Sequence, residues 1–149
     1  MAAQPRRKRT EALLFACCNA NGFRGRKLEL DHFLRQNRID IFLLTDTHLR
    51  SGEAFRMANC VCHCTDRLTE GGGTDILVRR GIDHYAFPLQ GLKHLDATAI
   101  YVVIGIKPVK IVVVYLSPIQ PLFVSYLSVC LGGGLPITTM VELNAKHVD

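Results

Sequence analysis

The sequence predicts an α/β or α+β domain built mainly of short buried strands that end in polar residues. Three observations lead there: short apolar runs bounded by turn residues, one amphipathic stretch between the first two runs, and Asn, Asp, Thr and His grouped where runs stop. With 149 residues, 48% of them hydrophobic and 21% charged, the chain has material for one core and lies outside disordered compositions.

Ala12 to Cys18 is rich in Leu, Phe and Cys and stops at Asn19-Ala20-Asn21-Gly22, which reads as a buried strand entering a turn. Leu28, Leu30, Phe33 and Leu34 recur near helical spacing with charges between them, so an amphipathic helix follows. Ile39 to Leu44 is a second buried strand, stopping at Thr45-Asp46-Thr47-His48, and the strand-helix-strand order suggests a crossover. A short strand at Cys60 to Thr65, a Gly71-Gly72-Gly73 loop and a strand at Thr74 to Val78 come next. Ala97 to Ile106 and Val109 to Leu116 are rich in Val, Ile and Tyr and are divided by Lys107-Pro108 in the manner of a hairpin. Leu122 to Leu131 suits a short helix ended by three glycines, and Ile137 to Leu143 a last strand.

The formal charge of +5 is concentrated in Arg6 to Arg9 and in Arg24, Arg26 and Lys27. Such a balance suits a polyanion, and equally a basic tail with solvated loop charges. Lys107, Pro108 and Lys110 interrupt the longest apolar stretch, so no membrane-spanning helix is expected. Six cysteines without a Cys-x-x-Cys pair or a signal peptide point to reduced thiols and an intracellular protein, nuclear or cytoplasmic; Arg6 to Arg9 also fits an import signal. Cys60, Cys62, His63 and Cys64 read as strand residues rather than a zinc site, because neighbours alternate between faces and no second ligand pair follows.

Three strands end in polar clusters, at Asn19-Asn21, Thr45-His48 and Glu142-His147. Each alone is ordinary loop composition. Together, carboxylates beside carboxamides suit a hard cation such as magnesium. The segments NANGFRGRKLELDHFLRQNRIDIFLLTDTHLR, GGGTDILVRRGIDHY, LDATAIYVV, VVVYLSP and ELNAKHVD resemble, in the same order, the endonuclease/exonuclease/phosphatase superfamily, in the apurinic-endonuclease-like version carried by jockey-type non-LTR retrotransposons.

That resemblance implies a truncated four-layer sandwich: two packed mixed β-sheets flanked by helices, with the site in a cleft at one end. It implies residues 1–11 as a basic tail and 12–149 as a partial domain without its C-terminal part, where relatives carry a further aspartate motif and a catalytic histidine. A monomer, or a chain unstable without that half, would follow. The implied reaction is magnesium-dependent hydrolysis of DNA phosphodiester bonds by an element that also encodes a reverse transcriptase, with DNA as partner and no small-molecule cofactor. By resemblance Asp46 and Asn19 serve the metal; Glu142, Asn144 and Tyr115 the chemistry; and Asn21, Thr74 and Lys146 the substrate. Asp46 stands where relatives carry glutamate, in TDTHL for SETHL, and Val141-Glu142 stand for glycine and aspartate in GDLN. One carboxylate is therefore withdrawn and the other pushed out by about 1.5 Å, which implies degraded activity. Asp75 replaces an alanine, and its charge must be either exposed at the strand end or destabilising. The alternative is a noncatalytic nucleic-acid-binding or interaction protein.

Overall fold

Phe15–Asn19 (β1) and Ile41–Thr45 (β2), on either side of the helix Lys27–Asn37 (α1), are adjacent parallel strands in the computed structural model. The structure describes residues 12–49, 56–65 and 72–143, excepting the side chains of 139–141 and 143. Thr74–Arg79 (β4) runs antiparallel to β2, and Cys60–Thr65 (β3) lies outside β4, giving the order β1-β2-β4-β3. The second sheet contains His84–Ala86 (β5), Asp96–Ile104 (β6), Lys107–Leu116 (β7) and Ile137–Leu143 (β8), in the order β5-β6-β7-β8. Its first three strands are antiparallel; β8 returns parallel to β7 after the helix Val124–Leu131 (α2).

The period-2 alternation of side chains assigns each strand residue to a layer. Ile41, Leu43, Ile76 and Val78 meet Ile100, Val102, Ile111 and Val113 between the sheets. On the outer face of the first sheet, Phe42, Leu44 and Leu77 lie under Leu30 and Leu34 of α1. Ala97, Ala99, Val112 and Val114 lie under Cys130 and Tyr126 of α2 on the other side. The two mixed sheets flanked by helices are thus as expected. Because both faces of β2, β4, β6 and β7 are covered, these strands read as continuous apolar runs.

Several local expectations differ from what is found. β1 is a half-exposed edge strand, since its outer edge has no partner strand among the described residues. In α1 only Leu30 and Leu34 are buried, while Leu28 is 86% exposed: 100° per residue carries it off the inward stripe. The hairpin between β6 and β7 turns at Gly105-Ile106, with Gly105 at φ +65°, and Lys107-Pro108 already belongs to β7. Pro108 is tolerated because it sits exposed near the strand's start. β5, three residues long, carries no sequence pattern of its own. Cys60, Cys62 and Cys64, two apart, share one face of β3, and His63 lies on the other with Val61 and Thr65.

Asp75 is neither strand-end exposed nor peripheral. It is 1% exposed, paired between Leu44 of β2 and Cys64 of β3. The Cys64 thiol hydrogen-bonds to its carboxyl group, whereas Oδ2 has no partner. Burial pushes its acid up to about 7. Lys110, also 1% exposed, donates to the Gly132 carbonyl at 3.1 Å and lies 4.5 Å over the Phe87 ring, tying the end of α2 to its sheet.

Candidate active site at the junction of the two sheets

Parallel pairing brings β1 and β2 to a close at one end of the sandwich, with Asn19 opposite Thr45. β7 and β8 also run parallel, with Tyr115 opposite both Glu142 of β8 and Asp96 of β6. The two ends meet through Glu142: Oε1 accepts from Asn19 Nδ2 at 2.7 Å, and Oε2 accepts from the Thr45 hydroxyl. Asn19 Oδ1 in turn accepts from the backbone N–H of Asn21 at 2.8 Å, a local Asn turn that leaves Asn21 at φ +43°.

Asp46 follows β2 at φ +54°, and its Oδ1 accepts from His48 Nε2 at 2.7 Å and from the Gly72 N–H at 3.1 Å. The next N–H, of Gly73, donates at 3.0 Å to Oδ2 of the buried Asp96. Successive glycine amides therefore each hold one carboxylate of the site. A Cβ on Gly72 would stand 2.6 Å from Asp96 Oδ2 and 3.1 Å from the Tyr115 ring, which places that carboxylate and ring side by side. Burial, then Asp46, Glu142 and Asp96, push the Tyr115 phenol up, and it also hydrogen-bonds to Asp46. The phenol is consequently protonated at neutral pH and able to donate.

Of the residues anticipated from the sequence, Asn19, Asn21, Asp46, Tyr115 and Glu142 come together. Thr74 does not join them as a surface group: it is fully buried, and its hydroxyl lies 2.8 Å from that of Thr98 in the interior. Its position at the start of an inner strand covered on both faces explains the difference. Asn144, Lys146 and the basic tail lie outside the described residues. Sequence reasoning overlooked Asp96, and it placed Thr45 and His48 in a polar cluster without giving either a role. A charged residue opening an otherwise apolar strand was the available sign for Asp96.

Among the described residues no group of three or more His, Cys, Asp or Glu gathers closely enough to hold a metal ion. Magnesium asks for less, since one or two carboxylates suffice when water and phosphate oxygens complete the shell. The oxygen donors of Asp46 and Asn19, with the carboxylates of Glu142 and Asp96 in the same cluster, fit that requirement. A cavity of about 570 Å³ lies between the segments that follow β1 and β2, lined by Asn21–Arg26 and Thr47–His48. A larger one, about 710 Å³, lies at the opposite end of the first sheet. Four of its five charged wall residues are already paired, Arg35 with Asp31 at 2.8 Å and Arg79 Nε with Asp40 at 2.8 Å.

Two mixed four-stranded sheets flanked by helices give this chain a sandwich fold like that of several solved structures. The endonuclease domain of TRAS1, a telomere-specific non-LTR retrotransposon, superposes with a TM-score of 0.67 at 16% identity, over 89% of this chain and 59% of that one. An endonuclease/exonuclease/phosphatase family protein from Leptotrichia buccalis C-1013-b gives 0.64 at 8% identity, over 89% and 67% of the two chains. Danio rerio TDP2, complexed with single strand DNA product, gives 0.60 at 11% identity, over 90% and 61%. In sequence the chain is similar to two Drosophila melanogaster proteins described as probable RNA-directed DNA polymerases. That from transposon BS is 23% identical and that from transposon X-element 27%, each over 104 residues and 67% of this chain. The matched part is 12% and 11% of those proteins' lengths. No family model matches the chain. The resemblance to retrotransposon endonucleases is borne out, and no described helix is long and apolar enough to cross a membrane.

Proposed function

We propose that this chain is a retrotransposon-derived endonuclease domain acting on DNA phosphodiesters, with a site degraded enough to turn over slowly. The observation that carries the reading is the meeting of Asn19, Asp46, Tyr115 and Glu142, from four strands of two sheets, at one end of the sandwich. Magnesium, held by Asp46 with Asn19 beside it, would supply neutralisation of phosphate charge. Tyr115, protonated, would turn its single O–H from Asp46 to a phosphate oxygen. Asn144, by resemblance, helps hold the same phosphate. Glu142 stands where a carboxylate would orient the attacking water and take its proton, but both its oxygens are engaged by Asn19 and Thr45. The water must compete with two donors for that carboxylate, so proton transfer is slow.

Nicking of supercoiled plasmid by the purified chain is expected to be very weak and abolished by a chelator. Exchanging the two carboxylate lengths together, Asp46→Glu with Glu142→Asp, is expected to raise it at least tenfold, since about 1 Å of misplacement costs on the order of a hundredfold. Efficient nicking by the unaltered chain, or no gain in the double variant, would overturn the degraded-site account.

The engaged Glu142 also favours a second reading, a noncatalytic DNA binder. Its signature is metal-independent association that weakens steeply with salt. Removing residues 1–9, or replacing Arg24 and Arg26 with alanine, should shallow the plot of log affinity against log salt by about one unit for each phosphate-contacting cation lost. An unchanged slope would show that these cations face solvent in the complex.

A further inference from the structure

His63 and His84 join the edges of the two sheets, away from the cluster described above. His63 is on β3, an edge strand of the first sheet, and His84 on β5, an edge strand of the second. Their Nε2 atoms are 2.8 Å apart, with the rings edge to face at a centroid distance of 4.9 Å. His84 Nδ1 lies 2.8 Å from the Ile82 carbonyl oxygen. A carbonyl only accepts, so Nδ1 carries the His84 proton; in the neutral ring Nε2 is then a bare lone pair, and His63 Nε2–H donates to it. Burial, then the nearby His84, holds the His63 imidazole below its ordinary value, so the ring is neutral at pH 7.

We propose that His63 and His84 form a two-imidazole chelate for a late first-row transition-metal ion, Ni²⁺, Cu²⁺ or Zn²⁺, that braces the two sheets together. Such ions prefer imidazole nitrogen, whereas magnesium does not. Two ligands about 2.0–2.1 Å from one ion, at angles of about 90–110°, stand about 2.9–3.4 Å apart, so the nitrogens need separate by no more than about 0.6 Å as the rings turn toward a common point. His63 frees its Nε2 lone pair by moving the ring proton to Nδ1 through exchange with water, and no net proton is lost. The bond from His84 Nδ1–H to the Ile82 carbonyl already fixes the tautomer that leaves Nε2 to ligate, which is the support metal-bound histidines ordinarily have. A cavity of about 530 Å³ borders His63 and gives access to the ion and to the waters that complete its shell.

Thermal unfolding of the full chain in Ni²⁺, Zn²⁺ and Mg²⁺ tests this. Excess Ni²⁺ or Zn²⁺ is expected to raise Tm by about 5 °C, reversibly with chelator, and to do so undiminished in the presence of excess Mg²⁺, which prefers oxygen ligands. His63→Gln and His84→Gln, each still melting cooperatively without metal, should weaken Ni²⁺ binding by at least about tenfold. No rise in the unaltered chain would overturn the proposal, as would a rise in both variants equal to that of the unaltered chain, which would place the ion on other ligands such as the cysteines. Should either variant fail to fold, Co²⁺ absorption of the unaltered chain decides. Ligand-field bands that appear without a thiolate charge-transfer band support the imidazole pair, and a strong thiolate band, or no bands, overturns it.

Discussion

Asp75→Ala is expected to stabilise the chain, and to do so by about 3 kcal/mol more at pH 8 than at pH 5. Burial raises the Asp75 acid from 3.8 to about 7 in the folded protein. Between those values the folded chain holds a proton that the unfolded chain has released, so stability falls as pH rises, by about 1.4 kcal/mol per unit. The loss begins near pH 4, is complete above pH 7 and totals about 4 kcal/mol. Alanine removes it, together with the unpartnered Oδ2. Denaturant unfolding from pH 5 to pH 8 would show wild type losing stability along this ramp while the variant follows a flatter course. Parallel curves would mean that Asp75 finds a partner for its charge.

A second large effect is expected at the glycine pair that holds the carboxylates. Gly72 and Gly73 have φ of +75° and +95°, and a Cβ on either would stand 2.6 Å from a side-chain oxygen, of Asp96 and Thr47 respectively. Gly72→Ala and Gly73→Ala should each cost about 2–3 kcal/mol, from left-handed backbone plus crowding. Gly105, also at positive φ but facing open space, is the control, and Gly105→Ala should cost about 1 kcal/mol. Gly72→Ala should in addition displace Asp96 and Tyr115 and depress any nicking further than its stability loss explains. Equal costs at all three positions would show that dihedral strain alone acts.

The layered architecture was legible because inner strands of a covered sheet must be apolar throughout, as in IFLLT and KIVVVYL, and because turns require Gly, Asn and Pro. The outer elements were harder to read. Neither the short β5 nor the half-exposed β1 buries enough surface to impress a pattern on its residues. At the site, groups at or just past the ends of strands, Asn19, Asp46 and Glu142, stood out as polar breaks in apolar runs. Asp96 did not, and Thr45 did so only as one of a polar cluster, because their roles come from cross-strand neighbours: Tyr115 and Gly73 for one, Glu142 for the other. Nor could spacing foretell that Asp75 is entombed, since a carboxylate there breaks the apolar rule that the rest of β4 obeys.

The hydrogen bond from Asn19 to Glu142 spans 123 residues of chain. On a ribosome the two partners are made many seconds apart, at about 5–20 residues per second. The first sheet can begin to pair while β8 is still unsynthesised, but the cluster cannot close until β8 has docked beside β7. Such distant closure is among the slowest events in folding. The cluster is therefore completed last, and a nascent or prematurely released chain carries Asn19 and Thr45 without the carboxylate that joins them to the second sheet.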